Sequence, residues 1–203
     1  MKDDFCSDIL IIKILIVGDP GVGKSNFIYR YMRDKFSGSN LSTAGFEANS
    51  KEIEITDKKI ILQLWDSAGQ EKFKSITKNL FTRVQGIIIL YDITNKQSFL
   101  NISNWIKNIK EEDDTVPFTV AGNKCDLEMK REVPIEEATK YCDENNVDFL
   151  ETSAKENINV MECISNFVTK ILNSENFNKN NGIVLESSSL GKSNSIDKNE
   201  RCC

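Results

Sequence analysis

The sequence predicts an α/β fold: a six-stranded, mostly parallel sheet with one antiparallel strand and helices on both faces. Three observations lead there. Apolar, β-branched runs recur along the chain, separated by segments with helical spacing. Most runs are apolar at nearly every position, the mark of parallel strands covered on both sides. Two consecutive runs lie too close together for a crossover helix, so that pair must be antiparallel.

The elements follow in order. Residues 9–17 form the first run and end at Gly18-Asp19-Pro20, after which residues 24–33 read as a helix. The runs at 53–55 and 60–65 are joined by Thr56-Asp57-Lys58-Lys59, which predicts a hairpin. A fourth run at 86–91 precedes a helix over 98–112, and a fifth lies at 116–121. Pro134 followed by Glu136 and Glu137 marks the start of a helix over 135–145, with proline at its first position and acids at its positive end. The sixth run, 147–150, leads to a helix over 157–172, where Ile158, Met161, Ile164, Phe167, Val168 and Ile171 share one face. Residues 174–203 are rich in Asn, Ser and Lys without apolar periodicity, so the chain divides into a domain at 1–173 and a flexible tail at 174–203.

Composition narrows the chemistry. The 203 residues are 39% hydrophobic and 28% charged, enough for one well-packed domain. A net charge of −5 argues against a nucleic-acid partner. Histidine is absent, which removes every mechanism that needs an imidazole. The six cysteines (Cys6, Cys125, Cys142, Cys163, Cys202 and Cys203) include no CxxC pair. Lys13 interrupts the first apolar run, so no secretory signal is expected and the thiols should be reduced. No run approaches the roughly 20 apolar residues of a membrane-spanning helix. Residue 2 is Lys, which fails the myristoylation pattern.

Gly18-Asp19-Pro20-Gly21-Val22-Gly23-Lys24-Ser25 matches G-x-x-x-x-G-K-[ST] between a predicted strand and a predicted helix, the P-loop signature. Its glycines let backbone N–H groups curl around phosphates, and the helix adds its positive end. Lys24 would bridge β- and γ-oxygens, and Ser25 would offer its hydroxyl to Mg²⁺. Asp19, Pro20, Val22 and Asn26 complete the candidate phosphate-side residues. Asp66-Ser67-Ala68-Gly69 follows the third run; Asp66 can hold Mg²⁺ through water, and the Gly69 N–H can approach a γ-phosphate.

Two further motifs follow the fifth and sixth runs. In Asn123-Lys124-Cys125-Asp126, Asp126 can accept two hydrogen bonds from guanine N1–H and N2–H, which adenine cannot supply. Asn123 can bond the other edge of the base, and Lys124 can lay its stem over the ring. In Glu151-Thr152-Ser153-Ala154-Lys155, the Ala154 N–H would meet guanine O6, with Ser153 and Lys155 beside it. Both motifs fall at strand carboxyl ends, where α/β sheets bind ligands.

With these motifs in order, the chain resembles the Rab family of Ras-superfamily small GTPases from about residue 11 to 172. Trp65–Phe73 (WDSAGQEKF), residues 86–94 (GIIILYDIT) and the double cysteine carry the likeness. The resemblance implies a P-loop G domain that binds GTP or GDP with Mg²⁺ and hydrolyses GTP slowly, switching membrane traffic through effectors. It makes Thr43 a ligand to Mg²⁺ beside Ser25 and Asp66, places Phe36 near the guanine ring, and gives Gln70 the attacking water. It also implies an exchange factor, a GTPase-activating protein, a GDP-dissociation inhibitor and a prenyl transferase that geranylgeranylates Cys202 and Cys203. The expected location is the cytoplasmic face of intracellular membranes, with a cytosolic pool.

The chain departs from the family in two places. Pro20 stands where Rab proteins usually carry serine, which fixes φ and removes a donor. Ala44-Gly45-Phe46-Glu47-Ala48 stands where I-G-V-D-F is common, so the aromatic effector triad falls on Ala48, Trp65 and Leu80. Two of its three aromatics are missing, which leaves two readings: a non-standard effector set, or drift in a divergent member with Phe46 compensating. These departures sustain an alternative reading: a GTP-binding module with negligible hydrolysis, serving as a constitutive membrane recruitment platform.

Overall fold

The computed structural model describes residues 10–38, 46–55, 58–67 and 83–174. Their six strands are β1 (Leu10–Val17), β2 (Phe46–Ile55), β3 (Lys58–Ser67), β4 (Gly86–Asp92), β5 (Phe118–Asn123) and β6 (Phe149–Glu151). The helices are α1 (Lys24–Arg33), α2 (Lys96–Leu100), α3 (Ile102–Glu112), α4 (Ile135–Glu144) and α5 (Val160–Asn173), with a 3-10 segment at Cys125–Lys130. The sheet order is β2-β3-β1-β4-β5-β6. Every neighbouring pair is parallel except β2 with β3, so the expected mixed sheet is present.

Alternation along the strands builds two cores. Ile12, Ile14 and Ile16 of β1 point to the face covered by α1 and α5, where Phe27, Ile164, Phe167 and Val168 pack. Leu15 and Val17 point to the opposite face, against Phe99, Ile102, Ile106 and Ile109. All five β1 side chains are fully buried, which is why the run reads as continuously apolar. The expected α5 face is present too, except that Ile158 precedes the helix and Met161 is exposed.

Three expectations need correction. The hairpin strands reach Ile55 and Lys58, which pair with each other, so Lys58 and Lys59 belong to β3 and not to the connection. β2 begins at Phe46, seven residues before the apolar run that announced it. It is an edge strand paired on one side, and its segment from Phe46 to Glu52 is polar enough to hide from a hydrophobicity reading. The helix expected over 98–112 is two helices meeting at Asn101.

The parallel strands all point their carboxyl ends to one edge, which gathers Val17, Ser67, Asp92, Asn123 and Glu151 around one crevice. No described helix is long and apolar enough to cross a membrane.

Candidate nucleotide site

The phosphate loop occupies the turn from β1 into α1. Gly18 and Gly23 adopt φ of 141° and 100°, which side chains rarely tolerate. A Cβ at Gly18 would lie 2.1 Å from the Leu90 carbonyl oxygen, and one at Gly23 would lie 2.5 Å from Asn123 Nδ2. Gly21 also has positive φ, at 80°, but a Cβ there would meet nothing within 4 Å. The α1 amino end has no side-chain cap and no acid in its first turn, so no carboxylate of the helix itself competes there with an anion.

Lys24 is buried at 6% exposure, its Nζ donating to the carbonyls of Gly18 (2.8 Å) and Asp19 (2.9 Å). Burial pulls its pKa down to about 8, against the opposing pull of the Asp66 and Asp19 carboxylates. Pro20 is exposed and Val22 buried, while Ser25 and Asn26 lie in the first turn of α1. The Asn26 Oδ1 atom is buried with no hydrogen-bond partner among the described residues.

The two base-side motifs close on this loop. Asn123 is 1% exposed; its Nδ2 donates to the Val22 carbonyl at 2.8 Å, and its Oδ1 accepts from the Ala154 N–H at 3.3 Å. The side chain expected at the edge of the base therefore ties the phosphate loop to the Ala154 loop. Lys124, in the left-handed region at φ 68°, donates to the Gly21 carbonyl at 2.8 Å and pairs with Asp92 at 2.6 Å. Its ammonium thereby joins the phosphate loop to the end of β4. Asp126 Oδ1 accepts from the Ser153 hydroxyl at 2.6 Å, and Lys155 stands 3.9 Å from Oδ2. Phe36 is 39% exposed after α1, available to a flat ring. Thr43, Gly69 and Gln70 lie outside the described residues, as do Leu80, Cys202 and Cys203.

The donors suit magnesium. Asp66 is 3% exposed at the end of β3 and senses Lys24 electrostatically, while Ser25 follows Lys24 directly. A carboxylate and a hydroxyl are the hard oxygen ligands that ion prefers.

Several supporting residues carry no motif and were not singled out from the sequence. The Asp19 carboxylate accepts from Asn101 Nδ2 (2.6 Å) and Trp105 Nε1 (3.2 Å), fixing the phosphate loop to α3. Arg131 grips Glu151 through both terminal nitrogens at 2.6 and 2.9 Å. Arg30 holds the backbone of the Ala154 loop. The local signal for each is an ordinary polar residue, and its role depends on a partner distant in sequence.

The Ras family model matches residues 13–173. The chain is 45% identical to Ras-related protein Rab-13 of Bos taurus over 80% of each chain. It is 41% identical to Ras-related protein Rab-8 of Diplobatis ommata, over 87% of this chain and 84% of that one. Against GTP-binding protein ypt2 of Schizosaccharomyces pombe the identity is 38%, over 95% and 96%. A phosphate loop tied through Asn123 to the Ala154 loop, on a sheet of this order, agrees with that match: the chain belongs to the Ras family as a Rab-type small GTPase, which binds guanine nucleotide and hydrolyses GTP.

Proposed function

We propose that this GTPase is a switch for intracellular membrane traffic, cycling between GDP and GTP forms that display different surfaces to partners. The observation that carries the reading is the Asn123 amide, which joins the phosphate loop to the loop that would read guanine, so that one ligand must satisfy both. The G domain comprises residues 1–173 and the tail 174–203; the family match and α5 both end at Asn173, which supports that division.

Phosphoryl transfer runs through a loose transition state, so the protein chiefly positions groups and offsets charge. Gly18, Gly21 and Gly23 shape the loop for phosphate oxygens, Lys24 neutralises charge, and Gln70 orients the attacking water. Asp126 and the Ala154 N–H read the base, with Lys124 and Phe36 against its faces. Ser25, Thr43 and Asp66 would hold Mg²⁺, which when bound supplies Lewis-acid stabilisation of the phosphate oxygens. No motif supplies an arginine in cis, so intrinsic turnover should be slow, about 10⁻⁴–10⁻² s⁻¹, and a partner arginine should raise it by about 10³–10⁵. Thr43 and Gly69 tether their loops while the γ-phosphate is present; its loss releases them, and partners sense the change.

The effector surface is non-standard. Ala48 is exposed and lies opposite the half-buried Trp65 in the β2–β3 register, so the aromatic that would normally flank Trp65 is absent. Geranylgeranylation of Cys202 and Cys203 would provide the two anchors that stable membrane attachment requires. Exchange factor, activating protein, dissociation inhibitor and prenyl transferase follow from family membership, as does residence on the cytoplasmic face of intracellular membranes with a cytosolic pool.

Single-turnover hydrolysis of GTP tests the switch. Gln70→Leu should slow turnover at least tenfold with GTP affinity unchanged; a wild-type rate would remove Gln70 from the mechanism. Wild-type hydrolysis no faster than that of GTP free in buffer would favour the constitutive binding module instead.

A further inference from the structure

Arg30 lies near the carboxyl end of α1, and its guanidinium reaches a loop 124 residues further along the chain. Nε donates to the Ala154 carbonyl at 2.7 Å and Nη2 to the Lys155 carbonyl at 2.9 Å. Nη1 donates to the Asp34 carbonyl at 2.9 Å and its carboxylate at 3.3 Å. All three nitrogens are engaged, and the side chain is 12% exposed.

The loop it grips needs support. Ser153 and Ile158 close its base with two backbone hydrogen bonds of 3.0 Å. Within it, Asn157 adopts φ of 56°, a conformation that costs a non-glycine residue energy. Asn157 Nδ2 reaches the same Asp34 carboxylate at 3.0 Å. Ala154 is thus held on both sides, its N–H by Asn123 and its carbonyl by Arg30. A carbonyl pinned by a rigid, planar fork fixes the orientation of its residue more firmly than a lysine would.

We propose that Arg30 is a positioning residue for base recognition: it keeps the Ala154 N–H aligned for O6 of guanine, and thereby sets the residence time of guanine nucleotides. This rests on the reading of residues 153–155 as the O6 site. The competing role is a cap for α1, served by the contacts to Asp34 alone. The two roles separate because one depends on the ligand's O6 atom and the other does not.

The test compares release of GDP and of 6-thioguanosine diphosphate, which exchanges O6 for a weakly accepting sulfur, from the full chain with magnesium present. The variants are Arg30→Gln, Arg30→Lys and Asp34→Gly, the last removing the carboxylate while tolerating the left-handed φ of 51°. Both Arg30 variants should release GDP about tenfold faster, as expected on losing charge-assisted bonds to the loop. Release of the thio analogue should change less than about threefold, and Asp34→Gly, which removes the carboxylate bonds of Arg30 and Asn157 but leaves both loop carbonyls their donors, should speed GDP release less than either Arg30 variant does. Arg30→Lys, which keeps the stem and charge, carries the test if Arg30→Gln does not fold. Equal acceleration for both nucleotides, or none for either, would overturn the proposal. A wild-type chain that holds ADP as well as GDP would overturn the base-site reading itself, and the proposal with it.

Discussion

At the residue scale, Asn123 decides whether the crevice exists as one site. Gly23→Ala sets a Cβ against Asn123 Nδ2 at 2.5 Å and forces φ of 100° on a side chain. We expect a stability loss of about 1–3 kcal/mol, visible in the urea midpoint, together with weakened nucleotide binding. Gly21→Ala meets nothing within 4 Å and pays only for its positive φ, about 1–2 kcal/mol. Asp126→Asn keeps the shape of the side chain but exchanges an acceptor for a donor. Its preference should move from guanosine toward xanthosine nucleotides, by at least about tenfold in a competition assay. Unchanged competition by xanthosine diphosphate would separate Asp126 from base reading.

At the element scale, the start of α2 is held by a single side chain. Asn95 caps α2 by accepting from the Ser98 N–H, so Asn95→Ala should cost about 1 kcal/mol in thermal or urea unfolding. The elements differ in how plainly the sequence announces them. α1 spans Lys24–Arg33 in both sequence and structure, because the motif that starts it also demands a helix amino end. The α2–α3 break was hidden: Asn101 keeps near-helical φ and ψ of −73° and −9°, so the local pattern runs on. The side chain at that junction is drawn to Asp19, a residue 82 positions away. β2 was hidden for the opposite reason, since an edge strand needs few apolar residues and its register is supplied by β3.

At the scale of the whole molecule, the strand-end motifs were legible and their mutual bracing was not. Lys24, Asn123 and Asp126 announce themselves by spacing, whereas Arg30, Asn101 and Trp105 acquire their roles through contacts formed by folding. The two-sided core gives two expectations. Phe167, 3% exposed between α5 and the sheet, should cost about 3–5 kcal/mol on replacement by alanine, read from the urea midpoint. Cys142 and Cys163 are buried, and burial raises their pKa from 9.0 to about 12. Raised thiol values contribute stability that is fully present below pH 9 and is lost as pH rises from 9 toward 12. Both thiols should resist iodoacetamide at pH 8 in the folded chain and react after unfolding, as mass spectrometry of labelled peptides would show. The proposal that the phosphate loop and the Asn123 and Ala154 loops form one guanine-nucleotide site is tested most directly by releasing and identifying the nucleotide carried by gently purified full-length protein. GDP or GTP approaching one per chain is expected, displaced by guanine but not by adenine nucleotides when magnesium is supplied. An empty protein that refuses labelled GDP under those conditions, or one that carries ADP equally well, would contradict it.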